Sequence, residues 1–109
     1  IKEDIEEIGP VLVRMCPTAE ELIVKVELLG EHVCSRWHQD FYVGRAIVSY
    51  NGCGTVHTHN GNVNFWEMKN CGINDHIVRD QSQVSSVDVM DILFIKGKLF
   101  PSTVKGLVH

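Results

Sequence analysis

The sequence predicts an α+β domain built mainly of β-strands, and three observations support this. Over residues 43–109, short β-branched and aromatic runs recur between Gly- and Asn-containing turns, roughly at the 8–12-residue spacing of barrels and sandwiches. Helical spacing of apolar residues is confined to the first thirty positions. The chain has 109 residues, 44% apolar and 22% charged, which is the composition of one folded domain rather than a disordered segment. We read a single domain, 1–109, in which residues 1–30 form an N-terminal strand-and-helix cap and residues 31–109 a β-barrel-like core. No internal repeat or low-complexity stretch is visible.

Taken in order, Ile1, Ile5 and Ile8 lie at helical spacing among acids, and Gly9-Pro10 should end that short helix because proline has no N–H to donate. Val11–Met15 is a β-branched run and reads as a buried strand. Thr18 and Glu21 form a capping-box pattern for a second helix carrying Leu22, Val26 and Leu29, which stops near Gly30. Val43–Tyr50 reads as a strand, and Asn51-Gly52-Cys53-Gly54 as a turn, since Asn and Gly tolerate positive φ. Val56–Asn60, Asn62–Met68 and His76–Arg79 are further strand candidates, separated by Gly61 and Asn70-Cys71-Gly72. Gln81–Ser86 is a polar loop and Val87–Ile95 a strand. Gly97 and Pro101 then precede a last strand, Val104–His109.

The balance of charge narrows the function. A net charge of −4 with scattered Lys and Arg argues against general nucleic-acid or anionic-membrane binding. No run approaches the ~18 apolar residues of a membrane span, and no targeting leader is visible. Cys16, Cys34, Cys53 and Cys71 are spaced singly, without a C-x-x-C pair. We expect free thiols in a reducing, intracellular or organellar compartment. Nucleophilic catalysis has little support: Cys34 and Cys53 lack an activating signature, and Gly52-Cys53-Gly54 suits a turn better than a phosphate nest.

Chemistry concentrates at Trp37-His38-Gln39-Asp40. In a strand, side chains at i and i+2 share a face, so His38 and Asp40 can converge on one ion. An imidazole and a carboxylate begin the two-histidine-one-carboxylate facial set. Trp37 and the other aromatics (Phe41, Tyr42, Phe65, Trp66) read as core or rim, with Trp37 placed to shield one side of the pocket. The rival metal pair is His57 and His59, also at i and i+2, on what looks like a hairpin rim. His76 beside Asp75 is either an orienting or an exposed pair, and His32 should cap or pack after the second helix.

Trp37-His38-x-Asp40, Tyr50-x-Gly52-x-Gly54-Thr55, Lys96-Gly97 and the distal His109 together resemble the double-stranded β-helix (jelly-roll, cupin-like) Fe(II)/2-oxoglutarate-type oxygenase superfamily. Within it, they look closest to an uncharacterised family with metal-ligand motifs. The resemblance covers about residues 31–109. It implies a double-stranded β-helix with one or two N-terminal helices, and His38, Asp40 and His109 as ligands of Fe(II). 2-Oxoglutarate is the cosubstrate it suggests. The superfamily's last strand and its basic cosubstrate partner fall beyond the distal histidine, where this sequence stops, so the expected β-helix is incomplete and has an open edge. Lys96 or Lys98 could stand in as the anion partner.

Three functions follow as expectations. The first is a non-haem Fe(II) dioxygenase-like domain acting on a small-molecule substrate. The second is a non-catalytic accessory subunit of a larger protein complex, for example at an organellar membrane, pairing a partner chain at its open edge. The third is a small zinc hydrolase or lyase using His38, His59 or His109.

Overall fold

The computed structural model describes residues 1–28 and 36–109; the expected helix end at Leu29-Gly30, His32 and Cys34 lie outside the described residues. The architecture is α+β, with one long helix and two small antiparallel sheets, and no closed barrel is formed among the described residues. No described helix is long and apolar enough to cross a membrane.

Helix α1 spans Lys2–Met15 and runs straight through Gly9-Pro10, so neither the expected stop nor the strand at Val11–Met15 exists. The apolar stripe explains this. Ile1, Ile5, Ile8 and Leu12 continue at helical spacing past the proline and face the same groove as Ala46 and Val48. Pro10 and Glu6 are exposed, so water can satisfy the Glu6 carbonyl that the missing N–H would have served. Tyr50 Oη donates to Asp4 Oδ2 at 2.5 Å and ties the helix to the chain after the first strand.

The second expected helix is also absent. Cys16-Pro17-Thr18-Ala19 closes a turn instead, with Ala19 N donating to the Cys16 carbonyl at 3.0 Å, and residues 21–28 have no regular structure. Pro17 suits the second position of such a turn, and β-branched Ile23, Val24 and Val26 give a helix little support. These residues instead border the groove between α1 and the sheet.

Strands β1 (Gly44–Val48) and β4 (Ile92–Lys96) form the larger sheet, in the register Gly44↔Lys96 to Val48↔Ile92. The turn after β1 is as expected, with Gly52 at φ +76°. The strand expected from Val87 starts only at Ile92: Met90, at φ +73°, turns the chain and donates its N–H to the Ser49 carbonyl. Strands β2 (Val56–His57) and β3 (Ser85–Ser86) make the smaller sheet.

Asn62–Met68 and His76–Arg79 are largely helical rather than extended. A 3₁₀ turn covers Asn60–Asn62, followed by α2 (Phe65–Lys69) and α3 (Asn74–Ile77); only Val63 and Val78 pair, in a single antiparallel bridge. Asn64 caps α2, its side chain accepting from Glu67 N at 3.1 Å. A second 3₁₀ turn, Gln81–Gln83, lies within the expected polar loop. Val63, Ile77 and Val108 form the buried centre, with Trp37, Phe65 and Met68 against it. Asn62 braces this centre: its Nδ2 donates to Thr58 Oγ1 and the Asp80 carbonyl, and its Oδ1 accepts from Asp80 N.

Val104–His109 does not form a strand along its length. Only Val108 pairs, with Gln39 on one side and Thr58 on the other. That narrow contact is what builds the site.

Candidate metal centre

His38 and His109 stand directly opposite each other in antiparallel backbone pairing. His38 N donates to the His109 carbonyl and His109 N to the His38 carbonyl, both at 3.1 Å. Side chains of such a pair leave on the same face. Asp40, two residues from His38, leaves on that face too. The alternate positions, Trp37 and Val108, go to the apolar centre, so one period of two sends a core residue one way and a polar ligand the other.

The three side chains meet. His38 Nε2 and His109 Nε2 each lie 3.5 Å from Asp40 Oδ1, and the imidazole centroids are 4.4 Å apart. One potential ligand atom from each residue falls within 4.8 Å of the others. Asp40 and His109 are buried, whereas the His38 side chain is 52% exposed. The approach to the group, among the described residues, is therefore from the His38 side.

Backbone carbonyls set both imidazole tautomers. His38 Nδ1 lies 2.6 Å from the Arg36 carbonyl and His109 Nδ1 lies 3.4 Å from the Leu107 carbonyl. A carbonyl can only accept, so these contacts place a proton on Nδ1, and in the neutral ring Nε2 is then the lone-pair atom facing Asp40. Metal-binding histidines are commonly oriented in this way.

With both imidazoles neutral, three acceptors face one another and cannot satisfy each other. Asp40 Oδ2 and His109 Nε2 are buried without a hydrogen-bond partner. A 3.5 Å separation is long for a hydrogen bond. It is close to the ~3.0–3.4 Å between two atoms bound ~2.1 Å from one ion at roughly 90–110°. The donor set thus fits a divalent cation. Arg45, on β1, adds a positive charge with Nη1 at 3.4 Å from Asp40 Oδ1. Burial pushes the Asp40 carboxyl up, but in the metal-free site a hydrogen bond from protonated His109 and the positive charges of His109, Arg45 and His38 outweigh it and hold the group below the ordinary aspartate range.

The hairpin end after β4 fastens this arrangement. Lys98 N donates to the Asp40 carbonyl at 2.9 Å, Leu107 N to the Lys96 carbonyl at 3.0 Å, and Gln39 Nε2 to the Gly106 carbonyl at 2.8 Å. Gly97 is required by space, because a Cβ there would fall on the Tyr42 carbonyl.

The rival histidines are not assembled. Thr58 is buried between His57 and His59, which turns both rings away from the centre, and His59 Nε2 donates to Gln83 Oε1 at 2.6 Å. Neither joins a group of three ligand-type side chains among the described residues. His76 lies 3.9 Å from Glu67 Oε1 rather than forming a unit with Asp75. Lys96 Nζ reaches Ser102 Oγ at 3.3 Å. Arg45 has no site signature in the sequence, because it is the bend at residues 41–43 that brings position 45 beside position 40.

Fold and site define a small α+β domain that gathers two histidines and an aspartate at a backbone bridge. The full length, residues 1–109, matches the family described as "Protein of unknown function (DUF1826)", and the chain belongs to that family. No curated protein and no solved structure matches it.

Proposed function

We propose that the chain is a metal-binding domain of the non-haem Fe(II) dioxygenase type, with His38, Asp40 and His109 holding the ion. One observation carries this reading: Asp40 Oδ2 and His109 Nε2 are buried without a hydrogen-bond partner, His109 Nε2 meeting only Asp40 Oδ1 at 3.5 Å, at a cost of roughly 1–3 kcal/mol each if left unmet. A cation satisfies both at once. The choice of Fe(II) rests on the donor set, since two imidazoles and one carboxylate leave positions open for other ligands. When bound, Fe(II) would supply the redox chemistry for oxidising a substrate C–H bond with O₂, and 2-oxoglutarate is the cosubstrate this reading expects.

The chain's own residues bind and orient. The carbonyls of Arg36 and Leu107 orient the imidazoles, Arg45 adds a positive charge beside Asp40, and the backbone pairing of residues 38 and 109 holds the two histidines side by side. The same reading takes the fold as a reduced double-stranded β-helix. In its support, an H-x-D segment meets a distal histidine segment in antiparallel pairing.

Anaerobic reconstitution followed by elemental analysis should give one Fe(II) per chain. His38→Ala, Asp40→Ala and His109→Ala should each weaken binding more than about 100-fold, since losing only an orienting partner costs 10–100-fold. Retention of zinc with rejection of Fe(II) would favour the hydrolase or lyase. No stoichiometric metal of either kind would sink the metal reading. The accessory-subunit reading would then lead, supported by two-stranded sheets whose outer strand edges have no described partner.

A further inference from the structure

The exposed side of His38 borders an open surface depression whose described walls include Arg36, Trp37, Lys69 and Lys98. This is an unusual place in the molecule. The chain has 14 acidic and 10 basic residues, yet among the described residues three basic side chains and no acidic one line this opening. The lysines are held by separate elements: Lys69 ends α2, and Lys98 is fastened through its backbone N–H to the Asp40 carbonyl. Neither lysine ammonium has an ion-pair or hydrogen-bond partner among the described residues. Arg36 donates through Nε and Nη2 to the Gly72 and Cys71 carbonyls, which fixes the guanidinium and leaves Nη1 available.

Three like charges around one opening repel each other unless an anion joins them. The remaining Arg36 Nη1 and the two lysine point charges suit an oxyanion. We propose that this depression binds a small, multiply charged oxyanion, a phosphate or polycarboxylate compound, and that this anion is the substrate presented to the centre at His38. Its assignment as substrate rests on the metal reading; the anion site itself does not. Recognition is by Arg36, Lys69 and Lys98, with the Trp37 ring supplying an apolar wall.

Inorganic phosphate and succinate, titrated separately into metal-free and metal-loaded protein with matched sodium chloride controls, distinguish the two chemistries. NMR should show one of them shifting the backbone amides of residues 36–39, 69 and 98 in the metal-free protein. Lys69→Ser with Lys98→Ser should weaken that binding about tenfold, as expected for losing two exposed charge contacts, while Lys98→Arg should retain it. A melting curve matching wild type establishes that the double variant is folded; should it not fold, Lys98→Glu alone must abolish binding while Lys98→Arg preserves it. The proposal is overturned if neither anion shifts these amides up to about 10 mM, where a millimolar site is nearly full, or if the charge-removing variants bind as wild type does. Metal uptake without anion binding would overturn this inference and leave the metal centre standing. Anion binding without metal uptake would uphold the anion site and remove only its role as substrate site.

Discussion

Two aspartates show how environment decides what a carboxylate does. Asp40 is buried among two imidazoles and a guanidinium, and one of its oxygens has no partner. Asp80 is solvated, and its oxygens are engaged: Oδ1 accepts from Ser82 N and Oγ, and Oδ2 from Gln83 Nε2. The first arrangement calls for a further ligand, whereas the second closes a turn. The Ser82 side chain, then Gln83, then the Ser82 amide hold the Asp80 carboxyl below its ordinary value. A carboxyl lowered on folding contributes stability that is complete above its unfolded pKa and is lost as pH falls through the folded one. Wild type should therefore lose more stability than Asp80→Asn on acidification below about pH 3.9, the ordinary aspartate value. Urea titrations at a series of pH values would check this, and parallel pH profiles would count against it.

Among the elements, the connection after β4 does more than join strands. Gly97 lies against the Tyr42 carbonyl and Gly106 against Gly97, so two backbones touch with no side chain between them. This closeness lets Lys98 N reach Asp40 and Leu107 N reach Lys96. Gly97→Ala forces a methyl group into backbone and should cost about 1–3 kcal/mol in urea unfolding. Because the displaced backbone carries the Asp40 contact, metal affinity should fall with it; unchanged affinity would show that the site does not depend on this fastening. The elements also show what a sequence can and cannot convey. His38 and Asp40 share a face through a period of two, a local rule legible in the sequence, whereas the place of His109 beside them rests on a long-range pairing that only the resemblance suggested. β1 and the turn at Gly52 were legible for the same local reason. α1 was misjudged because tertiary contact along the Ile1–Leu12 stripe overrides one proline worth about 3 kcal/mol. Asn64-x-x-Glu67 carries the same cap pattern that was credited at Thr18-x-x-Glu21. The aromatics at 65 and 66 make that segment resemble a strand, whereas the β-branched Ile23, Val24 and Val26 that follow Thr18 are the local sign against a helix there.

For the molecule as a whole, residues 107–109 link three otherwise separate parts. Val108 is fully buried in the apolar centre and pairs with both Gln39 and Thr58, while His109 completes the ligand group. Among the described residues the buried apolar cluster is small, Val63, Ile77 and Val108, with Cys16, Val78 and Ile95 also buried, and many large apolar residues of α1 and the 22–28 segment remain exposed. A domain with so little core gains proportionally from any ligand that binds only the folded state. Metal at about 100 times its Kd adds roughly 2.7 kcal/mol, which at this chain length raises Tm by on the order of 10 °C. Calorimetry with and without Fe(II), under nitrogen, should show that rise, and a chelator should reverse it. His109→Ala should melt at one temperature in both conditions, below metal-loaded wild type. His57→Ala, outside the ligand group, should keep the full metal-dependent shift, and loss of the shift in that variant would move the centre to the other histidine pair.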